Sequence, residues 1–174
     1  MNNEVLQNIQ TRRSCRAYTA QQVEPEKLKA ILEAGTWAAS GHGWQAAKIV
    51  VLQDAAEIAE LERMNAAVLG NPAAHPFYGA PVVCVVLTDP ERYTCVEDGS
   101  LVMGNLMLAA HSLGVASCWI HRARQEFDSP EGKALLKKWG VDERYIGVGH
   151  CILGYAASEA PAPKPRKNDY VIYR

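Results

Sequence analysis

The most constraining stretch of the chain is Val82-Val83-Cys84-Val85-Val86-Leu87, six consecutive apolar residues between Pro81 and Thr88-Asp89-Pro90. A strand with one wet face alternates apolar and polar residues. An unbroken apolar run instead predicts a central strand covered on both faces. Lys48 to Leu52, Val115 to Ile120 and Ile146 to Tyr155 read as further strands. The last contains Gly147 and Gly149, where another backbone or a ligand is expected to come close. Helical signals alternate with these runs. Pro25 stands at a first helical position ahead of Leu28, Ile31 and Leu32, with Gly35 as a possible stop. Asp54-Ala55-Ala56-Glu57 has capping-box spacing and opens a helix through Ile58, Leu61 and Met64. Asp128-Ser129-Pro130 starts another through Leu135, Leu136 and Trp139. The 174 residues suit one domain, 1–174, with a sizeable core.

A helix opening at Asp98-Gly99-Ser100 carries apolar residues nearly all the way round, from Leu101 to Leu113, and stops at Gly114. A chain this small buries every face of such a helix more easily against a second copy. The pattern therefore predicts a homodimer with this helix in its interface; a central helix in a monomer is the alternative. The tail from Ala156 to Asp169 carries Pro161, Pro163 and Pro165 and is expected to be extended, spanning roughly 40 Å at most. Val171-Ile172-Tyr173 then reads as a short terminal strand, and an arm ending in a strand suits wrapping a partner subunit.

A formal net charge of −1 argues against general nucleic-acid binding, which needs a broad basic face. No apolar run resembles a signal peptide or a membrane span, so a cytoplasmic protein with no membrane partner is expected. The five cysteines are odd in number, with no C-x-x-C pair and no zinc-site spacing, so neither a disulfide framework nor a metal site is expected.

Charge is concentrated locally in Arg12-Arg13-Ser14-Cys15-Arg16, predicted to lie at or just beyond the end of a short helix marked by Val5, Leu6 and Ile9. Arginine forks, a serine hydroxyl and neighbouring backbone N–H groups suit an anion such as phosphate; the same residues also fit a solvated basic turn. Thr36 to Gln45 is rich in small residues, with Ser40, His42, Trp44 and Gln45 available to touch a ligand, although an ordinary loop reads the same way. Asn65 to Ala80 is expected to be a loop long enough to cover a site. Lys164-Pro165-Arg166 supplies a second pair of cations. His42, His75 and His121 have no sequence-adjacent carboxylate, and Ser14 sits among cations, so no catalytic side chain is nominated.

Taken in order, several of these motifs resemble the nitroreductase-like flavoproteins nearly end to end. They are Arg12 to Arg16; Ala39-Ser40 with Gln45; Ala80-Pro81 before the valine-rich strand; Asn105-Leu106 to Leu113-Gly114 before Ser117-Cys118-Trp119; Leu153-Gly154-Tyr155; and Lys164-x-Arg166. The resemblance implies an α+β fold, a central mixed sheet flanked by helices, in an intertwined homodimer with an extended C-terminal arm. FMN would sit in a groove at the subunit interface and carry the chemistry. Arg12, Arg13, Ser14 and Arg16 would hold its phosphate and ribityl chain, with Lys164 and Arg166 reaching the phosphate from the other end of the chain. Asn65, Cys118, Trp119 and Ile120 match segments that lie along the flavin ring.

The resemblance further implies an NAD(P)H-dependent FMN oxidoreductase passing hydride to a nitroaromatic, quinone or similar small acceptor. This chain departs from the family pattern in its first loop, where Ala39, Gly43 and Ala46-Ala47 surround a retained Ser40 and Gln45, and in His121, which replaces a common glycine. Ser40, His42 and Trp44 are the expected substrate-pocket residues. The altered loop leaves two alternatives open: a specialised relative performing dehalogenation, dehydrogenation or flavin breakdown, and a flavin-binding protein without efficient turnover.

Overall fold

A computed structural model describes residues 3–174. Its elements, in chain order, are α1 (Glu4–Thr11), α2 (Pro25–Thr36), β1 (Ala47–Leu52), α3 (Ala55–Leu69), β2 (Val82–Thr88), α4 (Cys95–Ser112), β3 (Ala116–Ile120), α5 (Ala123–Asp128), α6 (Pro130–Lys138) and β4 (Ile146–Gly154). The strands form one sheet of order β1-β2-β4-β3.

β2 is central and its residues are all buried, as its unbroken apolar run requires. Strand periodicity divides it between two cores. Val83, Val85 and Leu87 meet Leu61 of α3, Phe127 of α5 and Leu136 of α6. Val82, Cys84 and Val86 meet Ile31 of α2 with Met103 and Leu106 of α4. Each fully buried valine or leucine contributes about 1.5–3 kcal/mol, so this strand alone anchors both layers.

All three strand pairings are antiparallel, which corrects the mixed sheet expected. β2 and β3 do run in the same direction across the α4 crossover. β4 inserts between them and pairs antiparallel with both. A single isolated bridge, Ser14 to Ser117, supplies the parallel component.

The close approaches expected at Gly147 and Gly149 come from within the chain. A Cβ on Gly147 would meet the Ala123 carbonyl at 2.3 Å, and one on Gly149 would meet the Trp119 indole nitrogen at 2.4 Å. α5 and the Trp119 ring therefore lie directly on the backbone of β4.

Three boundaries differ from expectation. α3 runs on to Leu69 and ends at Gly70 in the left-handed region, so Asn65 is helical and the following loop is shorter than Asn65 to Ala80. α4 starts at Cys95, placing Asp98 inside the helix, where its carboxylate accepts from Gly41 N and Thr94 Oγ1. Val171-Ile172-Tyr173 forms no strand. A strand needs a paired neighbour, and these residues are exposed with none beside them in the single chain. The expected starts at Pro25, Asp54 and Ser129 are present, with the Asp54 and Ser129 side chains capping α3 and α6.

α4 is not covered all round within one chain. Leu101 is 50% exposed and Val96 49% exposed, as are Val5 and Ile9 of α1 at 67% and 52%. Asn8 Nδ2 of α1 donates to the Leu108 carbonyl, so α1 packs against the C-terminal part of α4. No helix among the described residues is long and apolar enough to cross a membrane.

Candidate functional site

Local structure brings the arginine-rich segment to the outer edge of β3. α1 is capped by the Asn3 side chain and ends at Arg12, whose N–H donates to the Asn8 carbonyl. The chain then extends: Cys15 N donates to Ser117 O at 3.0 Å, and Thr19 N donates to Tyr155 O at 2.9 Å. Ala157 N closes back on Ala17 O at 2.9 Å. The segment is thereby held between the start of β3 and the start of the tail.

A cavity of about 510 Å³ opens there, lined by Arg13, Ser14 and Arg16, by His111 and Gly114 at the end of α4, and by the tail from Ala156 to Pro161. Glu159 is the one carboxylate in the lining and lies on the exposed tail. Arg13 Nη1 donates to the Gln10 and Arg12 carbonyls at 2.7 and 2.8 Å, closing the C-terminus of α1. Arg16 is exposed. Arg12 Nη1 is buried with no acceptor among the described residues, as is Ser117 Oγ beneath the same segment. Arg12 is not among the lining residues, and the cationic donors that line the cavity are Arg13 and Arg16. The donor set of arginines, a serine and a sheet edge fits a phosphate-bearing cofactor.

His111 is a lining residue that the local sequence signals did not single out. Its Nε2 lies 2.8 Å from Thr11 Oγ1. Burial, and then the neighbouring Arg12 and Arg13 charges, hold its pKa below the ordinary histidine value. The imidazole is therefore neutral at neutral pH and adds a hydrogen-bonding group rather than a further charge.

Beyond Ser117, the outer edge of β3 has no strand partner among the described residues. Cys118 and Ile120 point into the core, while Trp119 packs on the opposite face against Gly149. What this strand offers a ligand is backbone. Burial raises the Cys118 thiol pKa, only partly offset by Arg16, so the sulfur stays protonated. All five cysteines are free, and burial pushes Cys84 up to about 12.

Asn65 is not brought to this cavity. The extension of α3 buries it completely, and its amide is fully engaged. Nδ2 donates to His121 O at 2.9 Å and to Glu126 Oε2 at 3.0 Å, while Oδ1 accepts from Arg122 Nε at 3.0 Å. Glu126 Oε2 also sits 2.5 Å from His150 Nε2, and both of those side chains are buried. This network, invisible to local motifs, pins the turn after β3, where Arg122 adopts a φ of 82°. Lys164 and Arg166 lie on the exposed tail beyond the last lining residue, Pro161; Arg166 Nη2 donates to Lys164 O.

Ser40 and Gln45 belong to a second cavity, of about 850 Å³, between α2 and β1. Leu28, Leu32, Ile49 and Val51 give it apolar walls. Ser40 Oγ accepts from Gln45 N and shapes the short turn between them. His42 and Trp44 lie outside this lining and stack on one another with ring centroids 4.8 Å apart. The two cavities share no lining residue, so one chain does not join the arginine segment to the Ser40 loop.

Comparison with known proteins matches this architecture. The family described as "Nitroreductase family" matches residues 9–155. A solved nitroreductase with bound FMN from Bacteroides fragilis superposes with a TM-score of 0.92 at 32% identity, covering 99% of this chain and 100% of that one. A second, from Desulfitobacterium hafniense and also with bound FMN, gives 0.91 at 30% identity, covering both chains completely (100% of each). A relative from Archaeoglobus fulgidus, provisionally named an NADH dehydrogenase/NAD(P)H nitroreductase, is 31% identical over 161 residues, 90% of this chain and 87% of its own. The family match over residues 9–155, together with relatives above 30% identity covering nearly the whole chain, shows that the chain belongs to the nitroreductase family.

Proposed function

We propose that this protein is an FMN-dependent oxidoreductase, taking hydride from NADH or NADPH and delivering it to a nitroaromatic, quinone or similar small acceptor. The observation that carries the reading is the cavity beside β3, where Arg13, Ser14 and Arg16 line one wall at the strand edge. Two FMN-bound relatives at 30% identity or more support the same cofactor. When bound, FMN supplies the hydride-transfer chemistry, so no side-chain nucleophile is required.

The chain's own residues bind, orient and exclude water. The arginines neutralise the phosphate, and Ser14 gives it direction. The backbone of Cys118, Trp119 and Ile120 lies along the open strand edge, ready to hydrogen-bond the ring. Lys164 and Arg166 reach the phosphate as the tail folds over the cavity. Ser40, His42 and Trp44 form the acceptor side.

In this reading the working unit is a cytoplasmic homodimer of single-domain chains. The separation of the two cavities within one chain supports a site completed by a second copy. The exposed apolar side chains of α1, α4 and Tyr170 to Tyr173 support burial against that copy. The departures in the Ser40 loop favour a restricted acceptor range, which a screen of nitro, quinone and halogenated compounds would reveal.

The deciding experiment is an absorbance spectrum of the purified protein followed by anaerobic NADH or NADPH. The expected result is a flavin spectrum that bleaches and recovers on adding a quinone or nitro compound. Arg16→Ala and Arg166→Ala should each weaken FMN binding by about tenfold or more, the worth of a charge-assisted hydrogen bond, with the fold intact. A colourless protein that cannot be loaded with FMN would overturn the reading.

A further inference from the structure

The Ser40 loop does more than border a cavity. Its His42, Trp44 and the neighbouring Tyr93 form an aromatic cluster: Trp44 and Tyr93 meet edge to face at 5.3 Å, and His42 Nε2 lies 2.9 Å from the Tyr93 hydroxyl. The Arg92 guanidinium sits over the Trp44 ring, 4.9 Å from its centroid. These residues come from two loops, one before β1 and one before α4, so the sequence did not juxtapose them.

The arrangement is held from beneath by Asp98. It is buried, and its two oxygens accept separately from Gly41 N of one loop and Thr94 Oγ1 of the other. The loops touch closely enough that a Cβ on Gly41 would meet Thr94 Oγ1 at 2.3 Å. His42 and Gln45 keep φ values of 52° and 50°, a conformation that non-glycine residues adopt only when their surroundings hold them in it.

The charges around Arg92 are unbalanced. Asp89 and Glu91, its near neighbours in the chain, are both engaged by Arg144. Asp98 is occupied with the two loops. Among the described residues no carboxylate pairs with Arg92, which leaves a guanidinium held over Trp44 with free donors. Tyr93, the next residue in the chain, is 74% exposed. The turn that carries Trp44 also supplies Ser40 and Gln45 to the cavity of about 850 Å³, whose lining includes Asp98.

We propose that Arg92, Trp44 and Tyr93 form a recognition site for a planar aromatic ring bearing a negative group, either carboxylate or phosphate. The ring stacks on the aromatic cluster and the anion takes the free donors of Arg92. This rests on the oxidoreductase reading for its place in turnover, and it names the substrate class that the altered loop selects. Two molecules carry that chemistry: an aromatic acid serving as acceptor, and the adenosine phosphate end of NADPH.

The test uses the FMN-loaded protein and two pairs of compounds, nitrobenzoate against nitrobenzene and NADPH against NADH. The expected result is a preference in kcat/KM for the charged member of one pair of about tenfold or more, the worth of a charge-assisted hydrogen bond. Arg92→Gln should bring that preference close to parity, acting mainly through KM, and the pair that responds identifies the source. Parity in both pairs, or a preference that Arg92→Gln leaves intact, overturns the proposal while the oxidoreductase reading stands. If the protein proves unable to turn over, binding decides. Saturable quenching of tryptophan fluorescence by benzoate but not benzyl alcohol, or by NADP+ but not NAD+, abolished by Arg92→Gln, sustains the site; its absence in both pairs rejects it.

Discussion

At the scale of single residues, the arginine segment divides its labour. Arg13 spends donors on the end of α1, Arg16 is exposed, and Arg12 holds one nitrogen buried without an acceptor among the described residues. His111 reports on this local field. Burial and the two arginines lower its pKa, so the unfolded chain takes up a proton at a higher pH than the native state. The contribution to stability is present above the ordinary histidine pKa of about 6.5 and is lost as pH falls toward the native value. A proton NMR titration should therefore place the His111 midpoint below that of a free histidine. Inorganic phosphate or FMN in the cavity should move the midpoint upward, because an anion offsets the arginines. The proposal that Arg12 to Arg16 bind an anion could be made from the sequence because it depends on residue type and adjacency. The part played by His111 was not, because it lines the cavity only where α4 ends beside the segment.

Among the elements, β2 and the caps at Asp54 and Ser129 follow directly from local pattern, since burial on both faces and unsatisfied helix N–H groups each leave a mark in sequence. The turn joining β3 to α5 does not. It is governed by Asn65 of α3, Glu126 of α5 and His150 of β4, which meet only once the layers have packed. Reading Asn65 as the start of a loop hid its burial and the hydrogen bonds its amide makes with His121, Arg122 and Glu126. Glu126→Ala would leave the His150 Nε2 and an Asn65 N–H without their shared partner inside the core. Such a change should cost about 3–5 kcal/mol, visible as a lower urea midpoint, whereas Glu126→Gln keeps an acceptor and should cost less. Loss of the network should also loosen His121 and Arg122, giving faster amide exchange in that turn than in β4.

For the whole molecule, the open questions are at its surfaces. Truncation after Tyr155 should remove Lys164, Arg166 and the apolar tail together. Sedimentation should then show weaker self-association and FMN titration weaker binding, while the β2 core remains folded. A truncated chain that stays dimeric and fully flavin-loaded would reject the wrapping arm. The sequence by itself determined the two-sided central strand, the helix starts, the clustering of arginines from Arg12 to Arg16 and, through the order of its motifs, the family. Each of these is written in short-range spacing or in residue type. Only the tertiary structure decided that β4 lies between β2 and β3, that Asn65 belongs to a buried network, and that Arg92 and Tyr93 join Trp44. These features arise where segments distant in the chain are packed together, and hydrophobic burial, which drives that packing, is non-directional and does not record its partners in local sequence.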